Sequence, residues 1–161
     1  MKQHPVMRFI ASFAICISAG YLNLYMFTES VPLWYGTLTK PAFVPPPIVI
    51  FYGIIAVSIL LGLCFYSILG AIYADHEAAS ARNLFLFGIG LSVIWFSAVF
   101  LLHLLLFGFV VMLLLLVVIL ATLFKVLQSA PRIAILLVPY LIIMIIVAFA
   151  NLELYRLNPL A

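Results

Sequence analysis

"LFLFGIGLSVIWFSAVFLLHLLLFGFVVMLLLLVVILATLF", residues 84–124, decides how this chain folds. His103 is the only ionisable side chain in its 41 residues. A single α-helix of that length would extend roughly 62 Å, twice the ~30 Å hydrocarbon core of a bilayer even with tilt. The stretch must therefore double back. Polar His103 and Gly108 mark the expected turn at 103–108, which predicts one helix over 83–102 and another over 109–125.

The same length argument reads the rest of the chain. Residues 9–27 hold no charge and would reach roughly 28 Å as a helix, close to one bilayer core. The basic start (Lys2, Arg8) and the small residues Ser18, Ala19 and Gly20 also fit a cleavable signal peptide. The apolar run that continues through Leu22, Leu24, Tyr25, Met26 and Phe27 favours a retained helix. Residues 46–74 are uncharged and carry prolines only at the start, where a helix tolerates them. Residues 133–152 are uncharged too, and the fifth helix is drawn over 133–155. "DHEAASAR" (75–82) and "KVLQSAPR" (125–132) are then short polar connections, and 28–45 is the one long loop. The expectation is an all-α integral membrane protein, a single five-helix transmembrane domain over 1–161 with no internal repeat.

Composition points the same way. With 69% hydrophobic and 7% charged residues and a mean hydropathy of +1.42, the chain has too little polar surface to coat a water-soluble globule of its 161 residues. The formal charge of +3 is carried between apolar runs, where basic residues orient a membrane chain, so nucleic acid is not the partner they suggest. Lys2, Arg8, Arg82, Lys125 and Arg132 fall on one face, Lys40 and Arg156 on the other. In a bacterial-type inner membrane this bias puts the amino terminus in the cytoplasm and the long loop outside; an organelle membrane follows its own convention.

Helices in lipid approach one another over small residues. Ser12, Cys16 and Gly20 recur at four-residue steps in the first span, and Ser58 and Gly62, then Gly70 and Ala74, in the second. They read as packing seams, within one bundle or between two copies. Cys16 and Cys64 stand far from any metal-binding or redox spacing and read as small packing residues.

A search for chemistry returns little. No Asp or Glu lies in the middle of a span, so the buried carboxylate of a proton-coupled transporter is missing. Glu153 and Arg156 are three apart near the end of the fifth span and read as a local ion pair. His103 reads as an interfacial polar residue, and His4 and His76 as solvent-facing ones. No catalytic set, metal site or cofactor is indicated.

The anomaly is "WYGTLTKPAFVPPP", residues 34–47, with four of the nine prolines. Prolines fix φ and remove backbone donors, so the segment must be stiff and non-helical before the second helix begins. Two readings are open. Trp34, Tyr35 and Phe43 form an interfacial aromatic belt, or the segment is a pre-stiffened lid over a cavity among the helices.

This arrangement resembles the TspO/MBR family of tryptophan-rich sensory and mitochondrial translocator proteins. Trp34-Tyr35, Leu38, Lys40-Pro41, Phe43 and Pro45-Pro46 resemble that family's WYxxLxKPxFxPP loop. Pro139-Tyr140-Leu141 resembles its PYL at the start of the fifth helix, with Asn151, Arg156 and Asn158 where later Asn, Arg and Asn are expected. Trp95, Val99 and Phe100 fit its third-helix pattern, and the likeness covers nearly the whole chain. There are departures. Only two tryptophans are present; Ile54 or Ile55 and Ile143 stand where the family carries Trp, and Ser92 where it carries Asn. Leu154-Tyr155-Arg156 lacks a residue of the sterol-recognition pattern, so sterol binding through it is not supported.

The resemblance implies a multi-pass protein, often a homodimer, that holds tetrapyrroles (porphyrin or haem) or other large apolar molecules in a pocket beneath the first loop, in a sensory, regulatory or trafficking role. Trp34, Tyr35, Leu38, Pro41, Phe43, Pro45 and Pro46 would form the lid, with Trp34 stacking on the ligand. Trp95, Phe100, Tyr140 and Asn151 would form the wall. Asn151 could equally bridge helices, and Tyr140 anchor its own. A transporter of small hydrophobic solutes and a porphyrin-degrading enzyme are the alternatives, the second weakened by the missing tryptophans.

Overall fold

A computed structural model describes residues 4–71, 76–129 and 131–159. Five helices make up the bundle: α1 (Pro5–Leu33), α2 (Pro47–Ala71), α3 (His76–Phe96), α4 (Leu105–Ser129) and α5 (Pro131–Leu157). Each is long and apolar enough to cross a membrane, and the protein is a multi-pass integral membrane protein.

The ends of these helices depart from expectation wherever polar residues were read as breaks. Helix α1 continues past Phe27 through Thr28, Glu29 and Ser30 and takes Pro32 into its last turn, closing with the Trp34 amide donating to the Ser30 carbonyl at 2.9 Å. Thr28 is half-buried, Glu29 exposed and Ser30 buried, so polar residues in the last turns of a span do not by themselves break the helix. The expected long loop at 28–45 is correspondingly shorter, running from Trp34 to Pro46. Most of "DHEAASAR" is the first part of α3, and "KVLQSAPR" is helical up to Ser129 and again from Pro131. Residues 72–75 and Ala130 lie outside the described residues. Pro47 and Pro131 each take the first helical position, where the missing N–H leaves no bond unmade. Pro139 sits about two turns inside α5 rather than at its start.

The turn between α3 and α4 also falls earlier than expected. After α3 the backbone widens into a π-helical turn over Ser97–Leu101, with the Leu102 amide reaching the Ser97 carbonyl (2.9 Å) and the Leu104 amide the Ala98 carbonyl (2.8 Å). His103 then reverses the chain with a left-handed φ of 59°. Gly108 is not in the turn at all; it is buried in the first turns of α4.

Packing runs mainly between helices adjacent in sequence, α1 with α2, α3 with α4 and α4 with α5, while α2 and α5 meet more sparsely. The α1–α2 seam is built on the small residues read from sequence: Ser12, Cys16, Gly20, Ser58 and Gly62 are all buried. A Cβ on Gly20 would overlap the Ser58 side chain, so glycine is what lets these backbones approach. This seam lies within one chain.

Candidate functional site

Where α2 and α5 part, the bundle is hollow. A cavity of about 450 Å³ lies between α1, α2, α3 and α5, within the range of small-molecule sites. Tyr35, Phe43, Val44 and Pro45 of the first loop roof one end. Among the described residues the lining is almost wholly apolar and contains no Asp, Glu, Lys, Arg or His. Val49, Gly53 and Ala56 of α2 and Ile143 and Ile146 of α5 line it and are also exposed, so the cavity reaches the outer surface along the α2–α5 seam, toward lipid.

One wall is aromatic. Phe100, on the π-helical turn, meets Phe27 (5.3 Å between ring centres), Tyr35 (5.5 Å) and Trp95 (5.8 Å) edge to face, and Tyr35 meets Phe27 at 5.6 Å. Such pairs are favourable beyond their buried area. The wider turn brings Phe100 to this point, and through Tyr35 the cluster ties the loop to α1 and α3. Burial also pushes the Tyr35 phenol above its ordinary value, so it stays neutral.

A hydrogen-bonded node adjoins this wall at Trp95. Asn151 of α5 accepts a hydrogen bond from Trp95 Nε1 (2.9 Å) and donates through Nδ2 to the Leu105 carbonyl (3.0 Å). Three helices, α3, α4 and α5, therefore meet at one amide that both accepts and donates. Gly108 lies against this node: a Cβ there would overlap Val99 and come 3.3 Å from Asn151 Oδ1. Helix bridging is thus what Asn151 does, while its surface also contributes to the cavity wall.

Tyr35, Phe43, Pro45, Trp95, Phe100, Tyr140 and Asn151 come together around the cavity as candidate site residues. Trp34, Leu38, Pro41 and Pro46 do not line it. Trp34 instead stacks on His103 (4.3 Å between ring centres, 19° between planes), which places it against the α3–α4 turn and outside the cavity lining. Leu38 is packed in the core, the Pro41 carbonyl accepts a turn hydrogen bond from Val44 (3.1 Å), and the Pro46 carbonyl accepts the first bonds of α2 from Val49 and Ile50. These three shape the loop. Lys40 completes it, donating to the carbonyls of Gly36 (3.3 Å) and Leu38 (3.1 Å) with its ammonium 4.7 Å from the Tyr35 ring centre. His103, read only as an interfacial residue, is the loop's docking point.

Of the positions that depart from the resembled pattern, Ile143, Ser92 and Ile54 line the cavity, while Ile55, the alternative to Ile54, does not. Apart from Tyr140 of α5, its aromatic lining therefore lies on the side of α3, the π-helical turn and the loop. Asn23 and Phe96 line it as well and were not singled out in the sequence. Asn23 could have been: it is an amide in the middle of an apolar span, and a search for charged residues passes over it.

No individually curated protein matches this chain. The family model of the TspO/MBR family matches residues 12–156, a segment that includes the roofing loop, the aromatic wall and the Asn151 node, and the chain belongs to that family.

Proposed function

We propose that the protein binds tetrapyrroles, or other large apolar molecules, in the cavity beneath the first loop, in a sensory, regulatory or ligand-trafficking role. The observation that carries this reading is the roofed cavity of about 450 Å³ with an apolar lining and an aromatic wall at Tyr35, Trp95, Phe96 and Phe100. A flat hydrophobic ligand would stack on that wall and be held by shape. Because the cavity opens along α2 and α5, a ligand dissolved in the bilayer reaches it without crossing water. The loop, already ordered by its prolines and contacts, loses little entropy when it covers the occupant.

The two tryptophans supply the test. Trp95 lines the cavity and Trp34 does not, so in a Trp34→Phe variant the remaining emission reports on the cavity alone. Titration of the detergent-solubilised variant with protoporphyrin IX is expected to give saturable quenching. A flat titration with folded protein overturns the reading.

A further inference from the structure

Asn151 and Asn23 both line the cavity, and they differ in one respect. Asn151 uses both ends of its amide. Asn23, on α1 with Cys16 and Gly20, uses neither. It is 7% exposed, its Oδ1 is buried without a partner, and among the described residues its side chain makes no hydrogen bond. Ser30 Oγ is also buried and unpartnered, but it does not line the cavity.

An unpaired amide inside a bilayer is costly, because lipid tails cannot replace the bond that water supplied. Ser12, Ser58, Ser97 and Thr122 avoid that cost by donating to a carbonyl one turn back. Asn23 makes no such bond. The partner left to it is whatever fills the cavity.

The chemistry of that partner follows from the surroundings. An amide offers a carbonyl and an NH₂ group, exchanged by a half-turn of the side chain, so it pairs with a hydroxyl, an N–H or a carbonyl. With no charged residue in the lining, an ionised group at this depth would be uncompensated, so the group that meets Asn23 is neutral. Asn23 stands on the order of 15 Å below the loop end of α1 at a rise of about 1.5 Å per residue. Any charge on the ligand is then confined to the loop end, near Lys40 over the Tyr35 ring.

We propose that Asn23 is the specificity-determining polar anchor of the cavity, and that the ligand is an apolar body bearing one neutral hydrogen-bonding group (hydroxyl, N–H or carbonyl) at its buried end. This rests on the receptor reading above and narrows its ligand class.

Two probes of nearly equal shape, 1-hydroxypyrene and 1-methylpyrene, test it. Binding is read by energy transfer from Trp95 in the Trp34→Phe background, for the parent protein and for Asn23→Leu and Asn23→Ala. Each probe's partition into detergent is common to all variants and cancels. The parent is expected to hold 1-hydroxypyrene roughly tenfold more tightly than either variant does, the factor of a buried hydrogen bond, while 1-methylpyrene affinity moves less than about threefold. Without ligand, Asn23→Leu is expected to melt no lower than the parent, since it removes an unsatisfied group. Equal loss of both probes, no loss of either, or lower melting of both unliganded variants overturns the proposal and leaves the receptor reading standing. Binding of neither probe by folded parent protein overturns both.

Discussion

Asn158, just beyond α5, holds Thr39 of the first loop by two backbone hydrogen bonds: the Thr39 amide donates to Oδ1 (3.0 Å) and Nδ2 donates to the Thr39 carbonyl (2.9 Å). The same Nδ2 reaches the Leu154 carbonyl at 2.8 Å. A residue 119 positions away in sequence thus pins the roof of the cavity to the end of the fifth helix.

Asn158→Ala removes this clamp. Each exposed bond contributes about 1 kcal/mol or less, so local opening of the loop should become favourable by roughly 1–2 kcal/mol, a factor of about 5 to 30. Hydrogen exchange at the Thr39 amide should quicken by that factor while exchange in α4 stays unchanged. Unaltered exchange at Thr39 would show that the loop is held by its aromatic contacts alone.

The second attachment is Trp34 on His103. His103 holds a left-handed φ of 59°, a conformation that costs a non-glycine residue about 1–2 kcal/mol, and an aromatic stack returns about 0.5–1.5 kcal/mol. His103→Gly removes both terms, so the melting temperature should change little. Trp34 emission, isolated by Trp95→Phe, should shift to the red as its ring gains water. An unshifted spectrum contradicts the stack as the docking contact.

Gly108 sets how closely α4 approaches the Trp95–Asn151 node. Gly108→Ala forces Val99 or Asn151 to move and should cost about 1–3 kcal/mol, as overpacking of a dense core does. Gly53 and Gly90 have open space where a Cβ would go. Alanine at either should be neutral or stabilising by up to about 1 kcal/mol, the helix preference of Ala over Gly. Thermal unfolding of the three variants checks the ranking, and equal behaviour of all three would remove the node from the account.

The five spans were legible because bilayer thickness is a ruler: a 41-residue apolar run cannot be one helix, and an uncharged run of about 20 residues is one. Helix ends were less legible. Thr28 to Ser30 are polar, as are Lys125, Gln128 and Ser129, and polar residues near a span end do not by themselves say that the helix has stopped. At the α3–α4 reversal polar His103 was a signal, but Gly108 proved to lie outside the turn, and nothing in a run of leucines announced the π-helical turn that precedes it. At the site, the loop motif marked Tyr35, Phe43 and Pro45, yet its first tryptophan faces His103 outside the cavity. Which side of a short turn a ring takes depends on the partner it packs against, and that partner lies about 70 residues away. Asn23 was readable as an oddity but not as an unpaired one, since pairing is a property of the folded bundle.

Whether the cavity is where ligand sits is tested most directly by filling it. Ala150 of α5 lines the hollow and is half-buried, and Ala150→Phe places a ring into empty apolar space, which should leave the melting temperature unchanged or raised. With protoporphyrin IX as titrant and Trp95 as reporter in the Trp34→Phe background, the affinity of the filled variant should fall tenfold or more, the factor of about 1.4 kcal/mol. Saturable quenching at the parent's affinity in a protein whose cavity is occupied by Phe would contradict the account.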